Sequence, residues 1–219
     1  MLLTTVLAAL FTTALSAPLP AGPSPTPEEI KQAATTRNEL LNGPCRNVTV
    51  LFARGTTESG NIGSLVGPAL ESALDARLGA TNVAFQGVDY VADVAGYYAK
   101  GSDSGASTLA SLVSTASSKC PNTQIVMSGY SQGAQVVYKA AAQLPPALAA
   151  QIKAAVLFGN PNNGLPVPNI NNANTWTFCH ALDKICQGQP KVEASHLDYA
   201  VDTPAAAAYI ASRVKLNMS

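Results

Sequence analysis

The chain runs to 219 residues, 47% of them hydrophobic and only 12% charged, with 13 Lys and Arg set against 13 Asp and Glu. That is enough apolar chain for one domain with its own core, since a domain near this size buries roughly 70% of the surface it exposes when unfolded. A formal net charge of zero, with no run of Lys or Arg, excludes nucleic acid as a partner, because phosphate binding needs a basic patch.

Residues 1–16 read as a signal peptide. Leu2 to Leu15 is an apolar stretch with scattered Thr, and Ala14 and Ser16 put small side chains before a cleavage point at Ala17. The n-region carries only the amino terminus, with no Lys or Arg. The stretch is shorter than the about 20 apolar residues of a spanning helix, so no transmembrane anchor is expected. Residues 17–40 read as a pro-segment or flexible linker. Ala17 to Pro27 is rich in Pro, Ala and Ser and buries too little surface to fold alone, with a little helix around Glu28 to Leu41. A single domain is expected over 41–219.

Within it, Val48 to Ala53 is a β-branched and apolar run bounded by Arg54-Gly55, which predicts a buried strand. Leu65 to Leu78 sets Val66, Leu70, Leu74 and Leu78 at helical spacing. Val83 to Val88 is a second strand. Ser107 to Ser118 repeats Leu109, Leu112 and Ala116 in helical register, closed by Cys120-Pro121. Gln124 to Ser128 is a third strand, and Gln132 to Leu144 an Ala-rich helix. Ala154 to Phe158 and Thr175 to Phe178 give two more strands, and Pro204 to Val214 a closing helix. Strands alternating with helices predict an α/β fold, a roughly five-stranded parallel sheet flanked by helices.

Four cysteines in an exported chain predict two disulfides, for which three pairings exist. Cys45 and Cys120 each stand just before a candidate strand, at one end of a parallel sheet, while Cys179 and Cys186 bracket a short loop. Cys45–Cys120 with Cys179–Cys186 is the natural choice. Asn47-Val48-Thr49 and Asn217-Met218-Ser219 are N-glycosylation sequons.

Gly129-Tyr130-Ser131-Gln132-Gly133 is G-x-S-x-G between a predicted strand and a predicted helix. That context describes a nucleophile elbow, a sharp turn lifting the Ser131 hydroxyl above the sheet. Glycine at both flanks removes Cβ atoms that would collide across so tight a turn. The backbone N–H of Gln132, at a helix N-terminus, then favours a nascent oxyanion.

A serine nucleophile needs a base, and the chain has only His180 and His196. The order in this fold is Ser, acid, His. No Asp or Glu lies between Ser131 and His180, whereas Asp183 and Glu193 precede His196. Glu193 is too near in sequence to reach the imidazole from a separate loop, which leaves Asp183 as the acid and His180 as a structural or solvent-facing residue. A Cys179–Cys186 bridge would hold the Asp183 backbone in place. A second oxyanion donor should follow the first strand, where the chain reads Ala53-Arg54-Gly55-Thr56-Thr57-Glu58-Ser59-Gly60-Asn61.

Three separated segments resemble the fungal cutinase family: Ala53 to Glu58 through Gly60-Asn61, Cys120-Pro121 through Gly133, and Cys179 to Cys186 with Asp183 and His196. The resemblance covers about residues 45 to 214. It implies a small, lidless α/β-hydrolase with an exposed nucleophile and the two disulfides above, secreted by a fungus to hydrolyse cutin, the aliphatic polyester of plant cuticle. It implies Thr56 and Gln132 as the oxyanion hole, Thr56 through both its N–H and its hydroxyl. Two features depart from the family pattern. Many cutinases carry Ser where Thr56 stands, and the loop before the catalytic His is commonly apolar. Here that loop reads Gln187-Gly188-Gln189-Pro190-Lys191-Val192-Glu193, with Tyr90, Tyr97 and Tyr98 as other apolar surface.

The expected protein is therefore a secreted, extracellular, monomeric serine esterase that takes a polyester or lipid-like ester at a surface and needs no cofactor or metal. An acetylxylan esterase of the same fold is the near alternative, favoured by the polar loop. A non-catalytic binding or elicitor protein is the distant one, disfavoured because a binder has no need of Ser, Asp and His in this order.

Overall fold

The computed structural model describes residues 34–216. The expected signal peptide, residues 17–33 of the expected linker and the Asn217 sequon lie outside them. Five strands, β1 (Val48–Ala53), β2 (Val83–Gly87), β3 (Gln124–Tyr130), β4 (Ile152–Phe158) and β5 (Thr175–Phe178), form one sheet in the order β2-β1-β3-β4-β5. Every pairing is parallel. The described helices are α1 (Glu39–Asn42), α2 (Gly67–Leu78), α3 (Val94–Tyr98), α4 (Asp103–Lys119), α5 (Gln132–Gln143), α6 (Pro146–Ala149) and α7 (Thr203–Arg213). None of them is long and apolar enough to cross a membrane.

Successive strand residues point to opposite faces, and both faces are covered. Val50 and Phe52 of β1 pack with Phe85, Val126, Val156 and Phe158 beneath α2 and α7, through Leu70, Leu74 and Ile210. Leu51 packs with Ile125, Met127 and Leu157 beneath α4 and α5, through Leu109 and Val136. Burying each such side chain stabilises the fold by about 1.5–3 kcal/mol. Double coverage is why the central strands read as nearly continuous apolar runs.

The packed chain begins earlier than residue 41. Thr35 and Leu40 are buried, Asn38 bridges Gln86, and the Glu39 carboxylate accepts a hydrogen bond from the Phe85 N–H at 2.9 Å. This segment covers β2, an edge strand whose outer N–H groups need acceptors. The linker expected over 17–40 has thus become part of the domain by Thr35.

At the opposite edge β5 is short and half-buried, and Trp176, the sole tryptophan, is 51% exposed beside Tyr209 of α7. Cys45–Cys120 ties the chain entering β1 to the chain entering β3, with 5.4 Å between Cα atoms, and Cys179–Cys186 closes the loop after β5. Both expected pairings are present. At the first sequon, the Asn47 amide donates to Asn82 at 2.8 Å and Thr49 is buried in β1. Strand order reverses direction at β1, between β2 on one side and β3 on the other. In open α/β sheets that switch point, beyond the carboxyl ends of the strands, is where ligands bind.

Candidate active site

Ser131 occupies the single residue between β3 and α5, with φ 56° and ψ −118°. A non-glycine residue with positive φ is strained, and such strain persists only when the surroundings enforce it. Here they do. The Ser131 N–H donates to the Phe158 carbonyl at 2.9 Å, and a Cβ on Gly133 would collide with the Ala53 carbonyl, or one on Gly129 with Gly133. The two flanking glycines let the turn close against β1.

His196 ends a short 3-10 turn, Ala194–His196, and its ring is almost fully buried. Its Nε2 lies 3.0 Å from Ser131 Oγ, and its Nδ1 lies 2.8 Å from Asp183 Oδ2. The Asp183 carboxylate is fully buried and also accepts from the Ile185 N–H at 2.9 Å and from the Tyr199 hydroxyl at 2.7 Å. With Asp183 accepting, Nδ1 carries the imidazole proton, and Nε2 presents its lone pair to the serine hydroxyl. That tautomer is the one a base needs. The structure therefore brings Ser131, His196 and Asp183 into one hydrogen-bonded chain.

Three further residues hold the imidazole. The Tyr130 hydroxyl donates to the His196 carbonyl at 2.8 Å. Tyr199 supports Asp183, and burial first, then its bond to Asp183, pushes its phenol pKa far up, so it stays a donor. Gly159, at φ 53°, lies behind the ring, where a Cβ would sit 2.7 Å from His196 Cε1. None of these was singled out from sequence. Gly159 could have been suspected from a lone glycine ending a strand, whereas the two tyrosines carried no signal.

Glu193 lies apart from this chain, paired with Lys191 at 2.6 Å in an exposed ion pair. His180 is also outside it, its ring between the Ser195 carbonyl and the Asp202 carboxylate.

Thr56 follows β1 and Gln132 opens α5, so both stand at the sheet's switch point beside Ser131. The first N–H groups of a helix have no acceptor within it, which leaves that of Gln132 for a ligand. The buried Gln132 amide donates to Thr56 Oγ1 at 3.0 Å and to the Asp93 carbonyl at 2.6 Å. Since Thr56 Oγ accepts from Gln132, its own hydroxyl proton is available to an anion in the cleft. Glu58 braces this loop: its carboxylate accepts from the N–H groups of Gly55, Ser64 and Leu65 at 2.7 to 2.9 Å.

Ser131 and His196 open into a cleft of about 610 Å³ lined by Val94, Tyr97, Tyr98, Ile185, Val192 and Leu197 among others. Val94, Tyr98, Val192 and Leu197 are each at least half exposed. Of the three tyrosines expected to widen the apolar surface, Tyr97 and Tyr98 do so. Tyr90 instead packs inside, its ring under the Arg54 guanidinium. The polar loop before His196 contributes Pro190 and Val192 to the cleft, while Gln187 turns back to bond the Ala181 carbonyl and Lys191 pairs with Glu193.

Fold and site together are those of an α/β-hydrolase bearing a serine-esterase constellation. The cutinase family model matches residues 44–214. The chain is 48% identical over 166 residues to a cutinase of Botryotinia fuckeliana, covering 76% of this chain and 82% of that one. It is 46% identical over 177 residues to a cutinase of Monilinia fructicola, covering 81% and 88%. Among solved structures, a Trichoderma reesei cutinase bound to a phosphonate inhibitor superposes with a TM-score of 0.78 at 41% identity, covering 83% of this chain and 81% of that one. The catalytic core of an acetyl xylan esterase from Trichoderma reesei superposes at 0.62 with 21% identity, over 78% and 100%, a likeness of fold alone. The chain belongs to the cutinase family and is a carboxylic ester hydrolase.

Proposed function

We propose that this enzyme cleaves the ester bonds of cutin and related aliphatic polyesters, with Ser131 as nucleophile, His196 as general base and Asp183 as the carboxylate that orients it. The observation that carries the reading is the unbroken hydrogen-bond chain from Asp183 through His196 to Ser131, at the floor of an open, apolar-walled cleft.

Ser131 Oγ attacks the ester carbonyl carbon while His196 Nε2 takes its proton, and Asp183 stabilises the imidazolium that forms. The carbonyl oxygen becomes an oxyanion, met by the Gln132 N–H and by the Thr56 N–H and hydroxyl. The C–O bond to the leaving alcohol breaks as His196 returns the proton to that alcohol. Water then attacks the acyl-enzyme as His196 takes its proton, and the bond from the acyl carbon to Ser131 Oγ breaks as His196 returns that proton to Ser131, releasing the acid and the free enzyme.

Substrate length follows from the walls. Val94, Tyr98, Val192 and Leu197 offer an acyl chain apolar surface at about 25 cal/mol per Å². Because they are exposed at the rim, they also suit a substrate presented on a surface. The acetylxylan reading rests on the polar loop, where Gln187 bonds Lys184 and the Ala181 carbonyl and Lys191 pairs with Glu193, so that none of the three lines the cleft. Two disulfides fit an oxidising, extracellular setting. The exposed apolar side chains around the cleft are accounted for by substrate, in keeping with a monomer.

The test is an ester chain-length series beside release of hydroxy-acids from cutin. Turnover favouring butyrate and longer esters over acetate, with monomer release from cutin, is expected. A sharp optimum at acetate with no monomer release refutes the cutin assignment. Failure of an organophosphate to label Ser131 in folded protein refutes the mechanism.

A further inference from the structure

We propose that His180, protonated on both ring nitrogens, is a positioning residue that pins the His196 segment to the Asp183 loop, and that loss of its proton gives ester turnover an alkaline limb. The proposal rests on the esterase reading above.

The ring geometry suits the cation. Nδ1 lies 2.8 Å from the Ser195 carbonyl oxygen, which can only accept, so Nδ1 carries a proton. Nε2 lies 2.7 Å from Asp202 Oδ2, a carboxylate oxygen, so Nε2 carries one too. Neutral imidazole has a single N–H. On deprotonation one nitrogen turns a lone pair towards an oxygen, and that bond is lost.

Both bonds reach the segment that carries the base. Ser195 is the residue immediately before His196, and Asp202 lies where α7 begins. His180 itself follows Cys179 and stands three residues before Asp183. Its backbone N–H donates at 2.9 Å to the Tyr199 hydroxyl, which donates on to Asp183 Oδ2, and its ring stacks on Tyr199 with centroids 4.2 Å apart. The His180 side chain thus fixes one member of the Asp–His pair relative to the other without touching the reacting atoms.

The charged and titratable groups facing His180 are Asp202, Asp198 and Tyr199, all on the segment after His196, with Asp183 behind the Tyr199 hydroxyl. Burial alone would lower its pKa. The bond to Ser195, the bond to Asp202 and the fields of Asp202 and Asp198 outweigh that and hold it above the ordinary histidine value. Burial pushes Tyr90, Tyr130 and Tyr199 far above the ordinary phenol range, so these do not titrate in mildly alkaline solution.

The experiment measures kcat and KM for a soluble butyrate ester against pH in wild type, His180→Gln and Asp202→Asn, with 15N NMR of the wild-type His180 ring. Asp202 makes no side-chain cap to α7, so Asp202→Asn leaves the helix start intact. Wild type should lose about tenfold in kcat on the alkaline side, with KM nearly constant. His180→Gln should have no alkaline limb, its kcat already near the wild-type alkaline level. Asp202→Asn should keep the limb but bring it down by about one pH unit. The NMR should find both ring nitrogens protonated at neutral pH. A neutral His180 tautomer at that pH overturns the proposal, as does an alkaline limb unchanged in either variant. Absence of ester turnover in folded wild type refutes the esterase reading instead, and the ring's charge is read independently of it.

Discussion

Replacing Gly159 by alanine isolates how closely the imidazole must be held. The added Cβ would stand 2.7 Å from His196 Cε1, 2.9 Å from Nδ1 and 2.8 Å from Tyr199 Cε2, where ordinary contact begins at 3.4 Å. The ring must therefore give by about 0.7 Å (3.4 − 2.7). Adding that displacement to the 3.0 Å bond to Ser131 or the 2.8 Å bond to Asp183 takes either past about 3.2 Å, the useful range of such a bond. A misplacement of about 1 Å near the chemistry can cost a hundredfold, so a fall of about thirtyfold in kcat is expected, or about 2 kcal/mol. The left-handed backbone at φ 53° adds a stability loss of about 1–2 kcal/mol, a few degrees in Tm. Steady-state hydrolysis of a p-nitrophenyl ester, with a thermal melt beside it, reads both. If the folded variant turns over within twofold of wild type, the imidazole is not confined as argued.

Other expectations follow from the same geometry. Asp183→Asn leaves the loop's shape but removes the acceptor that fixes the His196 tautomer, and should lower kcat by about 10⁴-fold with KM little changed, measured with the same ester. Replacing Cys179 and Cys186 together by serine opens a cross-link between residues 7 apart, worth about 2.4 kcal/mol by loop entropy. Calorimetry should find Tm lower by about 5–10 °C, and kcat should fall as Asp183 loosens. The raised His180 pKa has its own thermodynamic sign. Its contribution to stability is complete below the ordinary histidine pKa and is lost as pH rises through the raised value. Thermal melts should show that loss in wild type and not in His180→Gln.

The sheet was legible because its central strands are buried on both faces, which writes Val48 to Ala53, broken only by Thr49, and Ile125 to Met127 as apolar runs. Helices with long buried stripes, such as that of Leu70 and Leu74, were legible for the same reason. Helix α3 was not: its five residues include Gly96, a half-buried Tyr97 and an exposed Tyr98, and it is fixed by the Asp93 cap at 2.7 Å and the Gln132 amide rather than by a periodic face. The site divides in the same way. Ser131 announces itself through local sequence, and scarcity of histidine and acid then points to His196 and Asp183. The residues that hold them do so across distance. His180 meets Asp202, and Tyr130 meets the carbonyl of His196, only because the fold brings them together. Similarly, the packing of Leu40 into the core shared by Leu51 and Leu109 is invisible in a polar N-terminal stretch.

The exposed position of Trp176 decides what fluorescence of this enzyme measures. With one indole in the chain, half in solvent on the outermost strand and tilted against Tyr209, emission reports the fraying of that edge and not the melting of the interior. An unfolding curve followed by that signal alone would register early detachment of β5 as if it were the whole transition, and calorimetry beside it separates the two.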